Sequence, residues 1–257
     1  MQNSVVYEQP LNEKMRTLLR LEFLFQQGRH YAVGESAWDS RAAISTLLDI
    51  QGILMGRTDL KGDLIKEMDR QILSLRRLTQ SEGVDQDRLA DLLARLARLS
   101  EHLRRSTGPI GGNLRENDFL SAIRQRCSIP GGSCGFDLPI YHNWLQREPG
   151  RRIADLGQWL NGFGPVQEAI DTLLYLVRNS GHPRIEVVSG GFLQQNIPPH
   201  LSCQMVRIGV PQENDCFPEI SGGRLRFAVR LLRGGGVNGR STPLQEPVEI
   251  EVTLCTL

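Results

Sequence analysis

The spacing of apolar residues changes character near residue 182 of this 257-residue chain, and that change constrains the fold more than any other feature. Upstream, apolar side chains recur every three to four positions over long stretches, as on one face of a helix. Downstream they alternate in short runs separated by Gly, Pro and Asn, as in strands joined by turns. A chain of this length can bury one large core or two modest ones. The two periods predict an α+β protein: an N-terminal helical bundle domain over residues 12–181 and a smaller antiparallel β domain over 182–257. A strand at residues 4–8, ended by Pro10, is expected to join the C-terminal sheet, which brings residues 1–11 into the β domain.

The helical part divides at local signals. Asn12 can cap a helix through LNEKMRTLLRLEFLFQQ, in which Met15, Leu18, Leu19, Leu21 and Phe25 form a broad apolar stripe. Arg16 and Arg20 lie one turn apart off that stripe, and neither has an acid four residues away. A second helix takes residues 36–50. Thr58 is placed to cap a third, where Leu64, Met68, Gln71, Leu75 and Leu78 follow heptad spacing. Over residues 85–105, Leu89, Leu96 and Leu103 are seven apart with Leu92 and Leu99 between them, a seam of the a/d type. That seam reads either as packing within one bundle or as a contact between two copies. Asp91 stands four before Arg95, the favourable order for a helical ion pair. Shorter helices are expected at 116–126, stopped by Pro130-Gly131-Gly132, and at 139–146. A last helix begins near Pro165, carries Val166, Ile170, Leu174 and Val177 on one face, and closes at Asn179-Ser180-Gly181. The Gly- and Pro-rich stretch 233–247 reads as a mobile hairpin loop.

Composition narrows the functional classes. Net charge is +1, so no bulk charge draws the chain to nucleic acid or to a membrane surface. Of 30 basic residues only Lys14, Lys61 and Lys66 are lysines. Arginine suits planar, bidentate contacts with carboxylates, and a GC-rich genome produces the same bias. Cys127, Cys134, Cys203, Cys216 and Cys255 are odd in number and include no CxxC, which favours reduced thiols over disulfides or zinc. The segment MQNSVVYEQPLNEKMR lacks the apolar core of a signal peptide, and no apolar run approaches the ~20 residues that span a bilayer.

Two motifs imitate catalytic loops. Residues 131–135, GGSCG, match GxSxG, which would make Ser133 or Cys134 a nucleophile. A nucleophile elbow needs a strand before it and a helix directly after, whereas a helix and Pro130 come first here, and His142 has no obvious acid to orient it. Residues 234–239 match GxGxxG, but the next segment, RSTPLQEP, is no helix whose N-terminus could face a pyrophosphate. His30, His102, His142, His182 and His200 are scattered without metal-ligand spacing, so neither metal nor cofactor is expected.

The segment RLRFAVRLLR from Arg224 is more informative. As a strand it puts Leu225, Phe227, Val229 and Leu231 on a core face and Arg224, Arg226 and Arg230 on the other. Between residues 221 and 240 there are five arginines and no acid. Such a face is either a solvated surface balanced by acids elsewhere or a receptor for an acidic peptide or phosphate.

Three long stretches resemble the ZapD family of Z-ring-associated proteins: VVYEQPLNEKMRTLLRLEFLFQQ from Val5, RQRCSIPGGSCGFDLPIYHNWL from Arg124 and FPEISGGRLRFAVR from Phe217. KEMDRQ and GVDQDR fall between them in the same order. The resemblance implies a non-enzymatic, cytoplasmic cell-division factor at mid-cell. It further implies a homodimer, through its helical domain, that binds the C-terminal tail of FtsZ and bundles its filaments, promoting Z-ring assembly and septation. Carried over by position, the family's basic surface falls on Arg20, Arg57, His142, Arg226 and Arg230, with Arg224 added by strand alternation in this chain. Asp118 stands where that family is expected to have a basic residue. The competing readings are a hydrolase using Ser133 or Cys134 and a nucleic-acid binder using the strand of Arg224, Arg226 and Arg230.

Overall fold

The computed structural model describes residues 4–56, 59–80, 83–236 and 239–256. In order they form β1 (Ser4–Pro10), α1 (Glu13–Ala32), α2 (Ala37–Gly56), α3 (Leu60–Arg76), α4 (Gln86–Arg105), α5 (Gly112–Arg115), α6 (Asp118–Cys127), α7 (Pro139–Leu145), α8 (Pro149–Asn161) and α9 (Gly164–Arg178). Then come β2 (Arg184–Val188), β3 (Phe192–Asn196), β4 (Cys203–Pro211), β5 (Cys216–Gly222), β6 (Arg226–Arg233), β7 (Thr242–Pro243) and β8 (Val248–Thr256). The chain is α+β, helices first and antiparallel strands after, with the N-terminal strand in the sheet as expected. It divides into two compact units, Met1–Leu18 with Leu174–Leu257 and Leu19–Leu173, the boundaries falling inside α1 and α9.

In the β unit, one antiparallel sheet has the order β1-β4-β8-β2 and the other β3-β6-β5, with β7 pairing β6. Alternation drives their packing. Val206, Ile208 and Val210 on β4 share one core cluster with Phe227, Val229 and Leu231 on β6. Each such buried side chain contributes ~1.5–3 kcal/mol. β1 is held by more than its ladder. Arg178 grips Glu8 with two hydrogen bonds, Nε to Oε1 at 2.8 Å and Nη2 to Oε2 at 2.7 Å. Arg207, opposite Glu8 on β4, donates to Oε1 at 3.1 Å. Asn12 caps α1 as expected, its Oδ1 accepting from the Met15 amide at 2.9 Å.

In the helical unit, α2 opens on a reciprocal cap in which Ser36 Oγ accepts from the Asp39 amide at 3.0 Å and Asp39 Oδ2 from the Ser36 amide at 3.1 Å. It runs six residues beyond the expected end at 50, to Gly56. Thr58 lies outside the described residues, and Asp59 caps α3 by accepting from the Gly62 amide at 3.1 Å. α6 starts at Asp118 rather than 116, because Asn117 Oδ1 caps it through the Leu120 amide at 3.0 Å.

The leucine seam packs inside the chain. Leu89, Leu96, Leu99 and Leu103 are buried, and α3 and α4 pack on each other with Ser100 Oγ bonded to Asp69 Oδ1 at 3.0 Å. That consumes the surface which, as a seam, suggested a contact between copies. Arg95 also departs from expectation: its Nε donates to Glu168 Oε1 at 3.0 Å instead of pairing with Asp91, because α9 brings a carboxylate shared with Arg98. α8 was not expected at all. Gly150, Arg151, Arg152 and Gly157 interrupt its apolar pattern, yet Leu156 is buried and Trp159 joins Phe119 and Trp144 in an aromatic cluster. Arg152 is itself buried, its Nη1 donating to the Leu145 carbonyl at 2.6 Å.

Candidate functional site

β6 is the middle strand of its sheet, so each of its residues has neighbours on both sides. Arg226, Ala228 and Arg230 share the outer face, while Phe227, Val229 and Leu231 are buried beneath. Across β3 the same face carries Phe192 opposite Arg230, Gln194 opposite Ala228 and Asn196 opposite Arg226. Across β5 it carries Glu219 opposite Arg230 and Ser221 opposite Ala228. Small Ala228 between long neighbours leaves a depression, lined by Gln194, Ser221 and Arg226. Among the described residues neither Arg226 nor Arg230 has an ion pair within 4.0 Å. Phe192, 52% exposed, lies beside Arg230. The face therefore offers two unspent guanidinium groups, an exposed ring and neutral hydrogen-bonding side chains, a set that suits a peptide mixing acidic and apolar residues.

Two expectations for this segment fail. Arg224 is not on the strand face, and Leu225 is not in the core but 57% exposed. Both sit in the β5–β6 turn, where pairing ends at Gly222 opposite Phe227 and alternation no longer applies. Arg224 lines a separate pocket with Asn12, His200, Ser202 and Gln204. The face is also not free of acid, since Glu219 arrives from β5, a neighbour invisible along the strand itself. The stretch 233–247 is pinned in part: Thr242 and Pro243 pair with Arg233 and Leu232, and Leu244 is buried. Val237 and Asn238 of the GxGxxG match lie outside the described residues, and the next element is β7, not a helix.

The remaining candidates belong to the helical unit. Arg20 is exposed on α1, with no ion pair among the described residues and exposed Phe23 one turn on. Arg16 is not unpaired as its sequence spacing suggested, because Glu13, three residues before it, takes its guanidinium. Arg57 lies outside the described residues. His142 is exposed on α7, its ring packed over Gly135, where an added Cβ would stand 3.1 Å from Nδ1. Asp118 occupies the first turn of α6, a position in which a carboxylate complements the helix dipole.

Residues 131–135 form turns between α6 and α7, so Ser133 has no strand leading to it. Its hydroxyl and carbonyl oxygens are engaged by Arg41 Nη1, at 3.1 and 3.2 Å, and Cys134 Sγ lies 3.3 Å from Asp137 Oδ2. Arg41 also stacks on Tyr141, 5.0 Å from its ring centroid, so it ties the loop to α7. Burial pushes the Tyr141 phenol and the Cys127, Cys203 and Cys216 thiols up, and Cys255 up to about 12. The exposed aromatics Phe23 and Phe192 were missed in the sequence, where a phenylalanine in an amphipathic element reads as core.

Comparison with known proteins is consistent across the chain. The family model described as "ZapD: Cell division protein" matches residues 19–230. A "Cell division protein ZapD" of Methylococcus capsulatus is 42% identical over 257 residues, covering 100% of both chains. Those of Azoarcus sp. and Aromatoleum aromaticum are 35% and 36% identical over 253 residues. They cover 98% of this chain and 100% and 98% of the relatives. No helix among the described residues is long and apolar enough to cross a membrane.

Proposed function

This chain belongs to the ZapD family of cell division proteins, and from that premise we propose that it binds the C-terminal tail of FtsZ and crosslinks FtsZ filaments at the division site. The observation that carries the reading is the outer face of β6, where Arg226 and Arg230 stand exposed with no ion pair among the described residues and Phe192 lies opposite Arg230. An acidic and apolar tail pairs its carboxylates with the guanidinium groups and lays its apolar side chains on the ring and on the Ala228 depression. Arg224, in the β5–β6 turn, is a further proposed contact, and Arg20, Arg57 and His142 are proposed contacts by their family positions.

The working unit is a homodimer. Two tail sites per dimer let one molecule hold two filaments, and the second capture is then intramolecular. The protein acts by binding alone, with no catalytic step, in the cytoplasm at mid-cell. The test is low-speed pelleting of FtsZ filaments with this protein, using FtsZ with and without its tail. Bundles with the tail and none without it support the reading. Equal bundling in both refutes it.

A further inference from the structure

Three connections of the β unit converge on one cavity of about 290 Å³. Leu11 and Asn12 come from the β1–α1 link, His200 and Ser202 from the β3–β4 connection, and Arg224 from the β5–β6 turn. Backbone hydrogen bonds hold these segments in place. The Leu11 amide donates to the Gln204 carbonyl at 3.0 Å, and the Ile197 amide to the Leu225 carbonyl at 2.8 Å. Side chains add to them. Asn12 Nδ2 donates to Gln204 Oε1 at 2.8 Å, and Gln204 Nε2 donates to the Ser202 carbonyl and hydroxyl oxygens, both at 3.2 Å. Ser202 Oγ is an acceptor in that network, so its hydroxyl can still donate to a ligand. His200 and Arg224 are exposed. Among the described residues no acid lines the cavity and Arg224 has no ion pair.

The cavity adjoins the β6 face. Gly222 and Gly223 line the Ala228 depression, and Arg224, next in the chain, lines the cavity. Leu11 lies against the same turn, since a Cβ at Gly222 would stand 2.7 Å from its Cδ2. No side chain rises from Gly222 or Gly223, and a Cβ at Gly223 would meet nothing within 4 Å, so an extended chain can cross the turn close to its backbone. Ala228 and Arg224 are four residues apart, at most roughly 14 Å of chain, which about four residues of extended peptide cover. At the end of that path a guanidinium, an imidazole and a hydroxyl can all donate, with no carboxylate competing for them, and Leu11 and Leu201 supply an apolar wall. Such a set suits an acidic side chain with an apolar neighbour. We propose that this cavity seats a carboxylate of the peptide that lies on the β6 face, held by Arg224, His200 and Ser202. The inference rests on the tail-binding reading above and gives the tail a second subsite, about four residues along from the Ala228 depression.

The test is a double-mutant cycle on the full-length protein. The probes are fluorescent synthetic peptides of the FtsZ C-terminal tail, the parent peptide and a set in which each acidic residue in turn becomes its amide, read by anisotropy. The protein variants are Arg224→Gln, His200→Gln and Arg226→Gln, each checked by thermal unfolding. Arg224→Gln should weaken the parent peptide about 3- to 10-fold, the loss of one partly desolvated charge-assisted pair. One amidated peptide should lose a similar factor on the parent protein and nothing further on Arg224→Gln or His200→Gln. The same amide should add its full loss on Arg226→Gln, whose guanidinium serves the depression. The inference is overturned if no acidic position couples to Arg224, or if every position couples to Arg224 and Arg226 alike, as a diffuse attraction would make them do. Should Arg224→Gln fail to fold, the His200→Gln cycle decides by the same criterion. A parent protein that fails to bind the parent peptide sinks the tail-binding reading and this inference with it. Tight binding that Arg226→Gln weakens while Arg224→Gln and His200→Gln leave it intact sinks the inference alone.

Discussion

Reversing Arg226 or Arg230 to glutamate separates the charge of the β6 face from the integrity of its sheet. The two positions differ in their neighbours. Arg230 lies directly opposite Glu219, so Arg230→Glu opposes like charges across the ladder, at a cost of ~0.2–1 kcal/mol. Arg226 faces Asn196 on β3, beyond the last β5 pairing, and Arg226→Glu brings no such repulsion. The Arg230 variant should therefore unfold ~0.4–4 °C lower than the parent, while the Arg226 variant keeps the parent midpoint. For binding, an exposed ion pair contributes ~0.2–1 kcal/mol. Reversal removes the attraction and adds a repulsion of similar size, roughly 0.5–2 kcal/mol in all, or about 2- to 30-fold in Kd. Filament bundling should fall more steeply than peptide binding, because a crosslink needs two occupied sites. Anisotropy of the labelled FtsZ tail peptide at low and physiological salt reads the first quantity, and pelleting the second. The affinity of the parent should weaken with salt more than that of either variant. Glu219→Gln should strengthen binding by removing the carboxylate opposite Arg230. If both reversed variants bind within twofold of the parent at low salt, the β6 face is not the tail site.

Light scattering at micromolar concentration should report twice the 28.8 kDa chain mass, and a monomer there refutes the homodimer. Glu8→Gln should lower stability by about 2 kcal/mol, read by denaturant unfolding, because it strips the countercharge from part-buried Arg178 and Arg207 together; no change would show that the clamp is idle. Cys255 should resist alkylation in the folded protein at pH 8, since its thiol is buried and held near a pKa of about 12. Because that folded value lies above the unfolded thiol value of ~8.5, its stabilising contribution is complete below about pH 8.5 and is lost as pH rises towards 12. Cys255→Ala should therefore flatten the alkaline limb of the stability curve, and an unchanged limb would refute the assignment.

Local periodicity was sufficient wherever one element settles its own burial. Asn12 caps α1, Val166, Ile170, Leu174 and Val177 all turn inward on α9, and Phe227, Val229 and Leu231 do so on β6. These outcomes depend on contacts a few residues apart, which the sequence contains in full. The family was legible for a related reason, since long ordered stretches such as RQRCSIPGGSCGFDLPIYHNWL survive independently of any contact. What the chain alone left open, apart from the docking of β1 on the C-terminal sheet, was which neighbours distant in sequence meet. Whether Leu89, Leu96 and Leu103 meet another copy or their own α3 was decided by the packing of α3 on α4. Arg95 chose Glu168 over Asp91 because α9 delivers that carboxylate from 73 residues away. Arg224 left the arginine face because the β5–β6 turn ends the ladder before it, and Glu219 entered the face because β5 lies beside β6. Gln51 reads as an ordinary polar residue in a helix, and only tertiary burial leaves its carboxamide without a hydrogen-bond partner among the described residues. Charge compensation and desolvation are properties of the space around a side chain, and that space is assembled by tertiary structure.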